Sequence, residues 1–165
     1  MSMRVKHPDK KNALSVIEAS EKELMYTLKL PVIDESAFNI IRNIYECFRM
    51  LGDARMISKG FVSQDHIEQI KELETIPVQT ERPIKLIDTL RRIRHNINYY
   101  GYIPTKAEAE DAISIAKACF YPLLEALKKE LKSSNLMDSI EKTAYKYALQ
   151  NAIRYNGKAN PGAVI

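Results

Sequence analysis

Helical periodicity runs through almost the whole chain and limits most strongly what it can fold into. Apolar residues recur at spacings of three and four, and no segment keeps the strict alternation of a half-buried strand. Only five of the 165 residues are glycine, and none is tryptophan, which fits a helical protein. The pattern predicts an all-α fold, an up-down helical bundle with short links, and a chain of this length fits one domain plus a tail.

Residues that start or stop helices predict the element boundaries. The first helix runs from about Asp9 to Lys29 and stops before Pro31. The second begins after Asp34 or Ser36, continues toward Ile57 and is closed by Gly60. A short third helix covers about residues 63–73, and a fourth enters between Pro77 and Pro83 and ends at Gly101. Thr105 and Glu108 form a capping box for a long fifth helix reaching Leu131.

The composition changes after residues 132–135, Lys-Ser-Ser-Asn, which predicts a break in the helix. A sixth helix is expected from about Met137 to Tyr155, ending at Asn156 and Gly157, and the last eight residues are expected to be frayed. The predicted organisation is therefore a helical bundle over residues 1–132 and a C-terminal helical appendage with a tail over residues 133–165.

Charge and cysteine usage leave the function open but exclude some classes of site. A net charge of +4 tolerates a polyanionic partner without requiring one. Cys47 and Cys119 lie in helical patterns, with no CxxC spacing and no nearby histidine pair, so they are expected to be buried free thiols and no metal or cofactor is predicted. No apolar signal region opens the chain, and Lys117 and Glu125 interrupt its most apolar later stretch, which predicts a cytoplasmic protein without a membrane association.

The densest polar chemistry lies at residues 90–102, LRRIRHNINYYGY. Helical spacing predicts one stripe that faces the core, formed by Leu86, Leu90, Ile93, Ile97 and Tyr100. The opposite side would carry Arg91, His95, Asn98 and Tyr102, with Arg94 at the boundary. Guanidinium forks with amide and hydroxyl donors suit an anion such as phosphate. Two interpretations stay open at this point: an anion-binding site, or the ordinary polar face of a surface helix.

At this motif, and over about residues 10–132, the chain resembles the HEPN domain family of small all-α bundles. The family motif is an arginine followed by a polar residue, with a histidine four to six positions after the arginine. Arg94 matches the arginine and His95 the polar residue. The place of the family histidine falls on Tyr99 or Tyr100, and the segment is similar to a family variant that ends in tyrosine and glycine.

The resemblance implies a homodimer whose motif helices face each other across a cleft. It also implies metal-independent RNA cleavage or the binding of RNA or a nucleotide, in a protein that is often the toxin partner of a minimal nucleotidyltransferase. The catalytic residues would be Arg94, His95 and Tyr100. The phosphate- or RNA-binding residues would be Arg91, Arg94, Asn98 and Tyr102. Because tyrosine is almost wholly protonated at neutral pH and is a poor general base, binding is favoured over cleavage. A non-catalytic protein-interaction module is the remaining alternative.

The C-terminal segment, residues 144–165, resembles the beginning of archaeal glutamyl-tRNA synthetases. The matching residues are Ala148, Leu149, Asn151, Ala152, Gly157, Lys158, Ala159, Ala163 and Val164. None of the catalytic signatures of a synthetase is present, so this segment is not expected to aminoacylate tRNA. It is either a docking or RNA-contacting appendage, with Lys142, Lys146, Arg154 and Lys158 as its basic residues, or the remnant of a gene overlap or fusion. The resemblance implies an archaeal origin.

Overall fold

The computed structural model describes residues 4–156 and shows an all-α helical bundle, as the periodicity predicts. The helices of the described part are α1 Lys10–Thr27, α2 Asp34–Lys59, α3 His66–Glu74, α4 Ile87–Tyr100 and α5 Lys106–Asn156. A single 3-10 turn, Ile84–Leu86, leads into α4. Two short strands, β1 Arg4–Val5 and β2 Phe61–Val62, pair antiparallel with Arg4 opposite Val62. The strands were not predicted, because two residues are too few to show an alternating pattern.

The helix ends follow the capping signals of the sequence. The Asp9 side chain accepts a hydrogen bond from the Asn12 backbone N–H at 2.9 Å and so caps α1. The predicted capping box at α5 is confirmed, since the Thr105 N–H donates to Glu108 Oε2 at 2.8 Å and the Glu108 N–H donates to Thr105 Oγ1 at 3.3 Å. Gly60 and Gly101 end α2 and α4 with φ angles of 81° and 63°, in the left-handed region that glycine favours.

The start of α2 differs in detail from the expectation. The residue before its first turn is Ile33, whose N–H donates to Ser36 Oγ at 3.2 Å. Asp34 is the first helical residue, and its carboxylate accepts a hydrogen bond from the Lys106 backbone N–H at 2.6 Å. This carboxylate therefore satisfies a donor in the first turn of α5 and not one in its own helix.

The predicted break at residues 132–135 is wrong, because α5 is one helix from Lys106 to Asn156. The segment contains neither proline nor glycine, and serine and asparagine reduce helix stability only slightly. By their internal contacts the residues divide into two units, one up to Lys129 and the other from Glu130. The expected frayed tail and the glycine-lysine-alanine part of the synthetase resemblance lie outside the described residues.

The core of the first unit is built around α2, which packs against α1, α3 and α4. Phe48 of α2 and Phe120 of α5 meet edge to face with ring centroids 5.7 Å apart. Cys47 and Cys119 are buried free thiols, as predicted. None of the helices in residues 4–156 is long and apolar enough to cross a membrane.

A glycine allows α2 and α3 to approach closely. A Cβ atom added at Gly52 would lie 2.2 Å from the carbonyl oxygen of Gln69. The Gln69 side chain also donates to Asp53 Oδ1 at 2.8 Å and to the Ser63 carbonyl at 3.2 Å, which fixes α3 on α2. The close packing of α3 therefore depends on the missing side chain at Gly52.

The second unit, over its described residues 130–156, is the distal part of α5. Large apolar side chains along it are at least half exposed: Leu136, Met137, Ile140, Tyr145, Tyr147, Leu149 and Ile153. A helix without packed side chains receives little stability from tertiary contacts, so its stability comes mainly from backbone propensity and local pairs.

Candidate functional site

Helix α4 leaves the core after its first turn. Ile87 and Leu90 are 0% and 1% exposed, whereas Ile93 and Ile97 are only half-buried and Tyr100 is 76% exposed. The predicted core-facing stripe is therefore wrong at its C-terminal end. Periodicity orders the residues around a helix, but it does not show how far along the helix the core extends.

The face of α4 that begins with Ile87 and Leu90 becomes polar toward its C-terminus. At 100° per residue, Arg91, Arg94 and Asn98 follow on this same face at spacings of three and four. Since α4 packs against α2 through this face, the arginines stand at the rim of the helix pair. The polar group predicted to lie opposite the core is thus turned partly toward α2.

Arg94 rests on the ring of Tyr45 from α2. Its guanidinium carbon lies 5.7 Å from the centroid of that ring, a cation–π contact, and the Tyr45 side chain is fully buried. Within residues 4–156, Arg94 forms no hydrogen bond and no ion pair. Its fork of N–H donors is therefore supported from one side and available to a ligand on the other.

A nearby carboxylate does not neutralise Arg94, because another arginine already engages it. Arg49 Nε donates to both carboxylate oxygens of Glu46 at 2.9 Å, and Arg49 also pairs with Asp53. Burial raises the pKa of Glu46, but the hydrogen bond and charge of Arg49, together with the charges of His66 and Arg94, lower it, and the net pKa is lowered. Arg49 is thus the hydrogen-bonded ion-pair partner of Glu46.

The Tyr45 hydroxyl beneath Arg94 is a neutral buried group. Burial raises its pKa, while the positive charges of Arg94, Arg49 and Arg91 act in the opposite direction. The hydroxyl oxygen is buried and has no hydrogen-bond partner among the described residues. At neutral pH Arg94 therefore faces an uncharged ring.

The other two arginines of α4 share one carboxylate. Arg91 Nε lies 2.6 Å from Asp88 Oδ1, and Arg92 Nε lies 3.2 Å from Asp88 Oδ2. An anion that bound Arg91 would compete with Asp88 for the guanidinium. Among the three arginines of this helix, Arg94 is the one that pairs with no carboxylate in the described part of the chain, so it is the strongest candidate for a phosphate ligand.

Three rings come together on the last two turns of α4. His95 lies 4.7 Å from Tyr99 and 5.7 Å from Tyr100 between ring centroids. His95 and Tyr100 lie about 140° apart around the helix, as the sequence pattern has them, but their rings still meet, since side chains of a helix lean back toward its N-terminus. We call His95, Tyr99 and Tyr100 the ring cluster. Tyr99 is 68% exposed, and His95 is also exposed.

Tyr102 and Asn98 differ in their availability to a ligand. Tyr102 follows the helix, and its hydroxyl donates to Glu108 Oε1 at 2.8 Å, a bond that raises the pKa of Tyr102. This hydroxyl thus joins the loop to the start of α5 and is not a free phosphate donor. Asn98 is exposed, and its side chain is not bonded to any described residue.

Sequence reasoning missed Tyr45, the residue that supports Arg94. Tyr45 belongs to the apolar pattern of the second helix, and no local signal connects it to an arginine 49 positions later. Residues 4–156 contain no group of histidine, cysteine, aspartate or glutamate side chains arranged to hold a metal ion. Comparison of the chain with protein-family models, curated proteins and solved structures found no match.

Proposed function

We propose that this chain binds RNA or a nucleotide through the C-terminal half of α4, with Arg94 as the main phosphate ligand. The observation that carries the proposal is the state of Arg94: half-buried on the Tyr45 ring, and not bonded to any carboxylate of the described chain. A planar guanidinium fork held in place makes two-point contacts with a phosphate at a smaller entropy cost than a free surface side chain.

Neighbouring groups supply further donors for a phosphodiester. Asn98 lies one turn beyond Arg94 on the same face, and His95 follows Arg94 in the chain. Arg91 contributes positive charge while one of its nitrogens is bonded to Asp88. The resemblance to HEPN domains supports the same assignment, because its motif arginine is Arg94.

Metal-independent RNA cleavage is the second candidate, and the ring cluster favours it. The His95 imidazole has a ring nitrogen that can accept the proton of a ribose 2′-hydroxyl. The Tyr100 ring lies 5.7 Å from the His95 ring between centroids, and its hydroxyl is a candidate hydrogen-bond donor to the reacting phosphate. Arg94 would hold the scissile phosphate.

A homodimer and a nucleotidyltransferase partner belong to the same proposal through the HEPN resemblance. In that arrangement the chain is the toxin-type member of the pair. A non-catalytic interaction module is the alternative, and the exposed Tyr99, Tyr100 and Ile103 at the end of α4 are the observation that favours it. Light scattering and co-purification from the native host test the dimer and the partner.

The test of binding is a titration of fluorescent single-stranded RNA with wild type, Arg94→Gln, Arg94→Lys and Arg92→Gln. The variant Arg92→Gln is the matched control, because it removes the same charge from the same helix at a residue that is paired with Asp88. We expect Arg94→Gln to weaken binding about 10- to 100-fold, as for the loss of a charged hydrogen bond. Arg94→Lys should recover only part of the affinity, and Arg92→Gln should weaken binding less than about threefold.

A cleavage assay in EDTA on the same proteins, with His95→Ala added, separates binding from catalysis. RNA that stays intact supports a binding protein, and cleavage lost in His95→Ala supports the ribonuclease. Equal losses of affinity in Arg94→Gln and Arg92→Gln would contradict a defined phosphate site. Wild type that neither binds nor cuts varied RNAs would leave the interaction module as the better explanation.

A further inference from the structure

The ring cluster is unusual among the exposed aromatic residues of the described chain. Tyr26, Tyr145 and Tyr147 are also more than 60% exposed, but none of them contacts another ring. In the cluster, the exposed His95 ring contacts both exposed tyrosine rings, Tyr99 at 4.7 Å and Tyr100 at 5.7 Å between centroids. Two tyrosine rings therefore flank the His95 ring, tilted by 41° and 61° to it, and His95 is the residue next to Arg94 in the chain.

The phosphate donors and two of the three rings, those of His95 and Tyr99, form a single band on the helix. At 100° per residue, Arg94, Asn98, Arg91, His95 and Tyr99 follow one another around α4 over roughly 140°. Tyr100 lies outside this band, about 100° beyond Tyr99 around the helix and about 9 Å from Arg94 along its axis, and it meets the band through its ring contact with His95. One polar edge and one aromatic edge are thus placed side by side over the last two turns.

We infer that the ring cluster is a stacking platform for an unpaired base whose neighbouring phosphate is held by Arg94; this inference rests on the proposed function. The faces of tyrosine and histidine rings stack on any of the four bases, so the platform would be tolerant of sequence. A base inside a duplex is already stacked and paired and does not present its face to a protein surface. The ligand class is therefore single-stranded RNA or a free nucleotide, and not a double helix.

The chemistry of the rings supports a base more strongly than a bare phosphate. A polyphosphate would be bound by Arg94 and its neighbours without contact with Tyr99 or Tyr100. A base offers a flat apolar face of the size of the exposed rings, and stacking removes both faces from water. Removal of one ring should consequently lower the affinity for RNA and leave the affinity for a backbone without bases unchanged.

The experiment compares three probes of about 12 nucleotides, the scale of known single-strand sites. They are a single-stranded RNA, the same RNA as a duplex, and an abasic oligomer with the same backbone. Titrations use wild type, Tyr100→Ala, Arg94→Gln and the control Tyr26→Ala, which removes an exposed tyrosine from α1. We expect Tyr100→Ala to weaken single-stranded RNA binding about 5- to 100-fold, the range for one lost base stack. Its affinity for the abasic oligomer and the behaviour of Tyr26→Ala should match wild type.

The outcomes distinguish a failure of this inference from a failure of the proposed function on which it rests. Equal affinity of wild type for all three probes, with no effect of Tyr100→Ala and a loss in Arg94→Gln, would overturn the platform and leave the phosphate site. Failure of wild type to bind any probe would overturn both. A change from dimer to monomer in Tyr100→Ala by light scattering, with RNA affinity unchanged, would assign the rings to contact with a second copy of the chain and also overturn the platform.

Discussion

The replacement of Tyr45 by phenylalanine separates the effect of its hydroxyl from the effect of its ring, which supports Arg94. Tyr45→Phe removes only the hydroxyl, whose oxygen is buried without a hydrogen-bond partner in the described chain. A buried hydroxyl without a partner destabilises the folded state by about 1–3 kcal/mol. We therefore expect the free energy of unfolding to rise by about 1 kcal/mol, and the Tm to rise by about 2–4 °C for a chain of this length.

The companion change, Tyr45→Leu, removes the ring beneath the guanidinium. The ring is fully buried, so the smaller side chain should leave a cavity and lower the free energy of unfolding by about 1–3 kcal/mol. Arg94 also loses its cation–π contact, and its fork becomes free to adopt other rotamers. RNA affinity should therefore fall in Tyr45→Leu and stay unchanged in Tyr45→Phe.

Urea unfolding and RNA titration on the three proteins measure both effects. A Tyr45→Phe variant that is less stable than wild type by about 1 kcal/mol or more would show that the hydroxyl is hydrogen-bonded, and the reasoning on its burial would be refuted. A folded Tyr45→Leu variant with wild-type RNA affinity would show that the ring does not position Arg94.

Three further predictions concern packing, pH and thiol chemistry. Gly52→Ala should lower the free energy of unfolding by about 1–3 kcal/mol through overpacking. At Gly101 a Cβ meets nothing within 4 Å, so Gly101→Ala should lower the free energy of unfolding by about 1 kcal/mol through its positive φ alone. Denaturant titration compares the two variants. Glu46 beside Arg49 has a lowered pKa in the folded protein, so its ionised form stabilises the fold. This stabilisation is fully present above the ordinary glutamic acid pKa of about 4.3 and is lost as the pH falls through the lowered value. The Tm difference between wild type and Glu46→Gln should therefore shrink under acid conditions. Burial raises the pKa of the Cys47 thiol to about 12, so a thiol reagent at pH 8 should label it only after unfolding, and rapid labelling of the native protein would contradict the burial.

Helix ends were predictable wherever a residue has a specific backbone requirement. Gly60 and Gly101 adopt the left-handed conformation that their position after a helix suggests, and Thr105 and Glu108 form their capping box. The break expected at residues 132–135 had no such residue behind it, only a change to polar composition. Composition alone does not end a helix, because serine and asparagine cost only a few tenths of a kcal/mol each in its interior.

The candidate site was predictable in its residues but not in its geometry. The density of arginine, histidine and tyrosine in residues 90–102 indicated the helix end on which the proposed site rests. The support of Arg94 by Tyr45 and the engagement of Tyr102 by Glu108 depend on which side chains meet, and periodicity gives no information about that. The contact of His95 with Tyr100 depends on the backward lean of side chains, which a helical wheel leaves out.

The hydrogen bond between Asp34 and the Lys106 N–H has a consequence for the order of events during synthesis. The two residues are 72 positions apart, and the ion pair of Glu21 with Lys128 spans 107 positions. A chain that leaves the ribosome with its N-terminus first completes α1 and α2 well before α5, and until then Phe48 has no Phe120 to pack against. Such nonlocal closure slows folding relative to bundles of purely local contacts. The nascent chain therefore exposes the part of α2 around Phe48 for the time needed to translate about seventy more residues, and in this interval it is most prone to aggregation or to capture by a chaperone.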